Sequence, residues 1–318
     1  MIAADPSYAV ATDGLTRRFG SVLAVDGVSL AVRPGEIFGL LGPDGAGKTT
    51  VFRMLAAVLT PTSGTALIAG MDIRTGEEDV KAHLGYMPQA FSLWADLTVL
   101  ENLRFIADAY GVPRDQIAPR LDRLLGFSRL APFGTRRAEF LSGGMKQKLA
   151  LAASLIHEPA ILLLDEPTTG VDPVSRREFW QILGELNAAG MTVVVATPYM
   201  DEAERCSRVA LIHHGRILGV DTPQAMKSRL QGVVVEVLAS PRRAALAAAR
   251  TVPGVRQATV FGHALHVVVA DAALQSALRQ ALEAAGVAVE RLQVIEASLE
   301  DVFVSLMARS ASDEHGDQ

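Results

Sequence analysis

Short apolar runs and amphipathic stretches alternate along residues 10–218. The apolar runs have the length of strands and lie at 37–41, 161–164 and 191–197. Helical patterns fall among them, at 49–59, 141–158 and 176–189. Apolar strands separated by helices are typical of a mainly parallel sheet covered on both faces. We therefore expect an α/β fold, in which residues 22–42 form a hairpin followed by a buried strand.

The pattern changes near residues 227–232. Beyond this point strands and helices are predicted in the order βαββαβα, which is typical of a small ferredoxin-like α+β domain. We expect a large domain at 8–228, an accessory domain at 232–308 and a flexible tail at 309–318. The accessory domain carries no motif with chemistry, which favours a packing or dimerisation role.

Composition narrows the compartment and the partners. The 318 residues are 49% hydrophobic and 20% charged, carry a net charge of −5 and include one cysteine, Cys206. No run approaches the ~18 apolar residues of a spanning helix, and no signal peptide is expected at the N-terminus. A lone cysteine suits a reducing compartment, and an acidic chain disfavours nucleic-acid binding. We expect a cytoplasmic protein that acts at a membrane only through a partner.

The segment GPDGAGKTT at 42–50 matches a phosphate-binding loop. It lies between an apolar strand and a helix. Its backbone N–H groups can therefore point at a phosphate bound at the helix N-terminus, where the helix dipole favours an anion. Lys48 is expected to contact the β- and γ-phosphates, and the Thr49 hydroxyl to ligate Mg²⁺. The residues predicted to bind ATP or GTP are Gly42, Pro43, Asp44, Gly45, Ala46, Gly47, Lys48, Thr49 and Thr50.

A pair of carboxylates, Asp165 and Glu166, follows the apolar run at 161–164. Ligands bind at the carboxyl edge of parallel sheets, so both side chains are expected at the phosphate site. Asp165 can hold the water shell of Mg²⁺, and Glu166 can polarise the attacking water as a general base. Such a pair downstream of a phosphate loop indicates nucleotide hydrolysis.

The segment LSGG at 141–144 has no use in a nucleotide kinase or a small GTPase. With the other motifs it resembles the ATP-binding cassette (ABC) ATPases over about residues 15–218. The resemblance implies a P-loop NTPase cassette with a mainly parallel sheet, an antiparallel β subdomain and a helical subdomain. It also implies that Ser142, Gly143 and Gly144 contact the γ-phosphate held by another cassette, in a homodimer or a heterodimer.

The same resemblance assigns three more ATP-site residues. Phe19 resembles the aromatic that stacks on adenine. Gln89 matches the glutamine that contacts Mg²⁺ and links the site to a membrane partner, and Asp172 matches the loop that crosses the dimer interface. The cofactors implied are ATP and Mg²⁺. The expected catalytic residues are Glu166, Lys48 and Gln89. The expected magnesium ligands are Thr49, Gln89 and Asp165.

Two departures from the family pattern concern hydrolysis. Asp44 replaces the more usual Asn and brings a negative charge near the triphosphate. We expect it to weaken ATP binding at most modestly, because the backbone N–H donors remain. Pro198 stands where the family has a histidine that reaches the γ-phosphate, and proline offers neither a donor nor a titratable group. Losing one such donor typically costs about 10²–10³ in rate. His213 and His214 are expected at a turn or the surface. Either hydrolysis is slow, or another subunit supplies the histidine.

Segments at 91–112, 168–180 and 198–206 resemble bacterial exporter ATPases of the drug-efflux type, as does the C-terminal SLEDVFVSLM. This implies ATP-driven export of drugs or other hydrophobic compounds through a separate permease, gripped near Gln89–Leu97 at the cytoplasmic face of the inner membrane. A periplasmic adaptor is a further candidate partner. Phe91 and Trp94 are either contact anchors or a locally buried pair. A regulatory or ribosome-linked ABC ATPase is the alternative.

Overall fold

A computed structural model describes residues 7–316, with side chains described as far as residue 308. The chain divides into two compact units, Met1–Val220 and Asp221–Gln318. The division precedes residue 228, where the sequence pattern ends the large domain, so the short helix at 223–228 belongs to the second unit. The absence of a signal peptide was predicted from residues that include 1–6, and those lie outside the described part.

Two sheets form the first unit. A six-stranded sheet has the order β10-β9-β3-β8-β7-β6, and a four-stranded sheet has the order β2-β1-β4-β5. In the larger sheet the pairs β3–β8, β3–β9, β7–β8 and β6–β7 are parallel. The strands are β1 (Val10–Phe19), β2 (Val22–Val32), β3 (Ile37–Leu41), β4 (Ser63–Ile68), β5 (Met71–Asp72), β6 (Leu84–Met87), β7 (Ile161–Asp165), β8 (Thr192–Thr197), β9 (Arg208–His213) and β10 (Arg216–Asp221).

Of the described helices of this unit, three begin at residues whose side chains cap them. Thr98 and Glu101 form a reciprocal capping box at the start of α3, and the Asp172 carboxylate caps α6, where Pro173 occupies the first turn. The helices are α1 (Lys48–Leu55), α2 (Glu77–His83), α3 (Val99–Ala109), α4 (Arg114–Phe127), α5 (Gly143–Leu155), α6 (Pro173–Ala188) and α7 (Met200–Ala203).

The predicted hairpin within residues 22–42 is wrong. Residues Val22–Val32 form one strand, β2, which pairs antiparallel with β1 along its length. The Asp26-Gly27 dipeptide looks like a turn, but Gly27 has a φ of +64° inside the strand, where the pairing with β1 shifts register. Such irregularities add a residue and a twist to a strand without reversing it.

A buried apolar core supports the phosphate loop from below. Phe38 and Leu40 of β3 and Phe52 and Met54 of α1 belong to one cluster and are at most 1% exposed. Because the strand that enters the loop and the helix that leaves it pack into the same core, the loop between them is held at both ends. The expected mainly parallel α/β sheet with an additional antiparallel sheet is confirmed.

The second unit is the predicted ferredoxin-like α+β fold. Its sheet has the order β12-β13-β11-β14, with antiparallel neighbours throughout. Its elements are α8 (Pro223–Ser228), β11 (Val233–Ser240), α9 (Arg242–Thr251), β12 (Val255–Phe261), β13 (Ala264–Val269), α10 (Gln275–Ala284), β14 (Ala288–Ile295) and α11 (Leu299–Gly316). The backbone of the expected tail continues α11 through Gly316, and residues 317–318 lie outside the described part.

Among the described residues, no helix is both long enough and apolar enough to cross a bilayer.

Candidate nucleotide site

The phosphate loop connects β3 to α1 and depends on glycine at two points. Gly47 has a φ of +103°, and a Cβ there would lie 2.5 Å from the Ala24 carbonyl oxygen. At Gly42 a Cβ would lie 2.3 Å from the Ile212 carbonyl oxygen. Both approaches are shorter than real Cβ contacts, so the backbone can follow this path only without side chains. The first N–H groups of α1 have no partner within the helix and face an anion site.

Lys48 is held inside the loop. Its Nζ donates hydrogen bonds to the carbonyl oxygens of Gly42 at 2.9 Å and Pro43 at 3.0 Å. The same atom lies 3.1 Å from Glu166 Oε1, and the two side chains are only 3% and 6% exposed. The loop thus places one buried positive charge against the carboxylate predicted to be the general base.

Asp165 ends β7 and is fully buried. Its Oδ1 accepts a hydrogen bond from the Thr49 hydroxyl at 3.2 Å, which joins two of the three predicted magnesium ligands. Burial raises the pKa of Asp165 to about 6, although the bond from Thr49 lowers it. Its Oδ2 is buried without a hydrogen-bond partner. An orphaned carboxylate oxygen beside a hydroxyl is a donor set that fits Mg²⁺.

Glu166 is placed by the sheet and by three side chains. Its backbone has a φ of +49°, an uncommon conformation for a non-glycine residue, and its N–H donates to the Ala196 carbonyl at 2.9 Å. Gln89 Nε2 donates to Glu166 Oε2 at 2.8 Å, and the Thr169 hydroxyl donates to the same oxygen at 3.4 Å. Gln89 therefore meets the predicted base, Glu166, rather than Thr49 or Asp165.

Lys48, Thr49, Gln89 and Glu166 face one cavity of about 250 Å³, whereas the buried Asp165 is not among its lining residues. Sequence reasoning named all of its lining residues except Ala24, which lies inside β2 and carries no chemical signal. The cavity is lined by Ala24, Asp44, Gly45, Gly47, Lys48, Thr49, Thr50, Gln89 and Glu166. Gly42, Pro43 and Ala46 support the loop: Gly42 and Pro43 accept from Lys48, and the Ala46 carbonyl accepts from the Gly215 N–H.

The LSGG residues do not line this cavity. Ser142 caps α5, and its hydroxyl accepts from the Met145 N–H at 3.3 Å. Gly144 is buried so closely that a Cβ there would lie 2.5 Å from Ser175, whereas Ser142 and Gly143 are exposed. The exposed start of a thirteen-residue helix offers a hydroxyl and N–H groups to an outside anion.

Phe19 and Asp172 also lie outside the cavity lining. Phe19 is 44% exposed, and the Arg17 guanidinium carbon lies 4.6 Å from its ring centroid, so it is not an ordinary core residue. Asp172 is exposed and accepts hydrogen bonds from the N–H groups of Val174 at 3.0 Å and Ser175 at 2.9 Å. Hydrogen bonds from Ser175 and Val174 hold its pKa below the ordinary range.

Pro198 follows the last residue of β8 directly, next to the strand that ends in Asp165. Neither histidine considered as a substitute lies on a strand next to β7. His213 ends β9, which β3 and β8 separate from β7, and His214 occupies the following turn with a φ of +45°. The two imidazole rings pack against each other, with 4.0 Å between centroids. Neither lines the cavity.

A glycine-dependent loop at the end of a parallel strand, a buried lysine and a carboxylate pair define a P-loop nucleotide-binding protein. The profile of the ABC transporter family matches residues 25–169, and that of the "ATP-binding protein DrrA1-3-like, C-terminal domain" matches residues 222–307. The chain is 47% identical over 218 residues to the probable multidrug ABC transporter ATP-binding protein YbhF of Escherichia coli (strain K12), covering 68% of this chain and 37% of that protein.

A second relative matches nearly end to end. The chain is 37% identical to the Nod factor export ATP-binding protein I of Paraburkholderia xenovorans (strain LB400), over 97% of this chain and 100% of that protein. The structure of CbiO1 from Clostridium perfringens, part of an ABC transporter complex, superposes with a TM-score of 0.65 at 28% identity, covering 70% of this chain and 92% of that one. The chain belongs to the family of ABC transporter ATP-binding proteins.

Proposed function

We propose that this chain is the ATP-hydrolysing subunit of a bacterial exporter of drugs or other hydrophobic compounds, driving a separate membrane permease. The observation that carries the proposal is the meeting of Lys48, Glu166 and Gln89 in one cavity beside the phosphate loop. The family relationship supports ATP as the nucleotide. Relatives named for multidrug and Nod factor export support the direction of transport.

ATP binding begins with an exchange of partners at Lys48. The γ-phosphate takes the place of the Glu166 carboxylate at Nζ, while the N–H groups of Gly45, Gly47 and the first turn of α1 cradle the β-phosphate. The exchange releases Glu166 from its ion pair. Asp44 adds a negative charge at the rim, which offsets part of this attraction.

Thr49 and Asp165, which share a hydrogen bond, are the side chains that fit Mg²⁺. Gln89, whose amide donates to Glu166, is the third candidate ligand. Among the described residues no group of three or more His, Cys, Asp or Glu side chains could hold a metal. This suits Mg²⁺, which keeps several waters and binds through one or two protein groups plus substrate phosphates. When bound, it neutralises charge that develops on the β- and γ-phosphates.

Hydrolysis then falls to Glu166. Once released from Lys48, the carboxylate can accept a proton from water aligned with the γ-phosphate, while Gln89 and Thr169 keep its Oε2 in place. Lys48 stabilises the negative charge of the transferring phosphoryl group. With Pro198 in place of a donor, this chain relies on these groups for the reaction.

A second cassette completes the site. The exposed Ser142 and Gly143 of one copy contact the γ-phosphate held by Lys48 of the other, and Asp172 lies at the interface. Phe19, half-exposed at the end of β1, stacks on the adenine. Binding therefore closes the dimer, and loss of phosphate removes the bridge between the copies.

The permease docks on the segment Gln89–Leu97, at the cytoplasmic face of the inner membrane. Trp94 is 42% exposed and packs on Phe105, which is 47% exposed, with 4.1 Å between ring centroids. Trp94 is exposed and Phe91 is only partly buried, which favours contact anchors over a locally buried pair. A periplasmic adaptor can join the assembly through the permease.

Hydrolysis of ATP by the purified full chain tests the proposal. We expect Mg²⁺-dependent turnover that Glu166→Gln lowers by at least about 10²-fold, in line with the loss of a general base. Glu185→Gln, an exposed glutamate of α6, is the matched control and should turn over like wild type. Equal turnover in Glu166→Gln and wild type would contradict the assignment of Glu166.

Co-purification distinguishes the proposed transporter subunit from the alternative, a ribosome-linked ATPase. A tagged chain expressed in its own cells should recover a multi-span membrane protein from detergent extracts. Recovery of ribosomal subunits without a membrane protein would favour the alternative.

A further inference from the structure

A fully buried carboxylate, Glu202, lies on α7, four residues beyond Pro198. It does not line the nucleotide cavity. Its Oε2 accepts a hydrogen bond from the Thr197 hydroxyl at 2.7 Å, and its Oε1 accepts one from the Thr168 hydroxyl. Burying a carboxylate costs free energy unless hydrogen bonds or opposite charges compensate for its lost hydration. Both carboxylate oxygens of Glu202 accept such hydrogen bonds.

A cation faces the same carboxylate. Arg176 of α6 places its Nε 3.7 Å from Glu202 Oε1 and its Nη1 3.7 Å from Asp201 Oδ2. The guanidinium carbon also lies 4.3 Å from the centroid of the Tyr199 ring. Arg176 thereby links α6, the helix that follows Asp172, to the segment that follows Pro198.

One of the two threonines, Thr168, lies in the loop after β7, and the other, Thr197, ends β8. Thr168 lies two residues after Glu166, and its neighbour Thr169 hydrogen-bonds the Glu166 carboxylate. Thr197 immediately precedes Pro198, and its hydroxyl accepts the Tyr199 N–H at 3.0 Å while it donates to Glu202. One buried carboxylate therefore ties the loop after β7 to the end of β8.

We propose that Glu202 is a positioning residue for ATP hydrolysis, which holds Glu166 in register with the loop at Pro198. The proposal rests on the proposed function. Glu166 has a φ of +49°, a conformation that persists only when its surroundings impose it. Because Pro198 contributes no donor to the γ-phosphate, the rate depends on how accurately Glu166 itself is placed. A small displacement of a catalytic group can cost about 10²-fold.

Thr168 offers the cleanest perturbation. Thr168→Val keeps the branched shape but removes the hydroxyl, whereas Thr168→Ser keeps the hydroxyl. We expect Thr168→Val to lower kcat by about 10-fold or more, because a hydrogen bond to a charged group is lost, while KM for ATP changes by less than about twofold. Thr168→Ser should restore kcat to within about twofold of wild type. Glu202→Gln should resemble Thr168→Val in kcat.

Glu204→Gln is the matched control, since Glu204 is an exposed residue just beyond the same helix and should leave kcat unchanged. Wild-type turnover with unchanged kcat in both Thr168→Val and Glu202→Gln would overturn this inference alone. Equal losses in kcat and in ADP affinity would also overturn it, because they indicate general damage to the fold. No turnover by wild type would overturn the proposed function as well.

Discussion

Among single residues, the ion pair between Lys48 and Glu166 is the contact from which the proposed ATP-binding step begins. Each charge is buried and each satisfies the other, at 3.1 Å. Removing one partner of such a pair typically costs about 3–5 kcal/mol, whereas exchanging it for a phosphate keeps the charges balanced. In the proposed reaction the nucleotide replaces an existing partner of Lys48, and Glu166 becomes available for chemistry when ATP binds.

Asp165 gives a prediction about pH. The pKa of its buried carboxyl is about 6 in the folded chain, above the ordinary 3.8. Between these two values the folded state binds more protons than the unfolded state, so stability contributed by the protonated carboxyl is lost as pH rises through about 6. Asp165→Asn cannot ionise. Without nucleotide, we expect its Tm to exceed that of wild type by more at pH 7.5 than at pH 5.

Thermal unfolding between pH 5 and pH 7.5 measures this difference in Tm. The control is Asp44→Asn, which replaces an exposed carboxyl of the phosphate loop. A difference in Tm between Asp165→Asn and wild type that stays constant with pH would contradict the assignment. Asp165→Asn should also bind ATP in the presence of Mg²⁺ more weakly than wild type does, since it loses a proposed magnesium ligand.

Pro198 gives a prediction about rate. Introducing His there supplies a donor near the γ-phosphate, so we expect Pro198→His to raise kcat by about tenfold or more. Pro198→Ala is the control, because it removes the ring without adding a donor. Steady-state turnover of the three proteins provides the comparison. Wild-type turnover in the ordinary range that neither substitution changes would show that Pro198 is no handicap.

Absence of turnover in both wild type and Pro198→His, with ATP still bound, would instead favour a partner subunit that supplies the histidine. The same preparations therefore distinguish slow self-sufficient hydrolysis from an obligate heterodimer.

At the scale of elements, the phosphate loop acts through its backbone. Gly45 and Gly47 both have positive φ, at +77° and +103°, but only Gly47 approaches another backbone atom, the Ala24 carbonyl oxygen. A side chain costs about 1–2 kcal/mol in this conformation at either position, while the clash arises at Gly47 alone. We expect Gly47→Ala to raise the Kd for ATP by at least about tenfold.

Gly45→Ala is the matched control and should weaken binding by less than about threefold. Titration with ATP measures both, and near-ultraviolet spectra verify the fold. Equal affinities for the two variants would show that the close approach to Ala24 does not shape the loop.

The sequence predicted the elements that carry strong local signals. Lys48, Asp165 and Glu166 were expected together because parallel strands end at one edge, and they meet there. The single strand at Val22–Val32 was missed because Asp26-Gly27 looks like a turn, whereas here it marks an irregularity in the pairing with β1. Glu202 was missed for another reason: its partner Thr168 lies thirty-four positions away.

At the scale of the whole molecule, the residues of this chain divide into those that share its own cavity and those that do not. Lys48 and Glu166 belong to the first group. Ser142 and Gly143 belong to the second and stand exposed at the start of α5. The sequence could predict both motifs, but their separation within one chain is a property of the fold. This separation is what the proposed dimer requires, in which the LSGG residues contact ATP held by another cassette.

Sedimentation velocity of the slowly hydrolysing variant Glu166→Gln, with and without ATP, tests the central claim that two copies clamp ATP between them. We expect a monomer without nucleotide and a dimer with ATP. Adding Ser142→Arg to the same background should abolish the dimer while ATP still binds each monomer. A Glu166→Gln chain that stays monomeric at saturating ATP, or a dimer that Ser142→Arg leaves intact, would contradict the account.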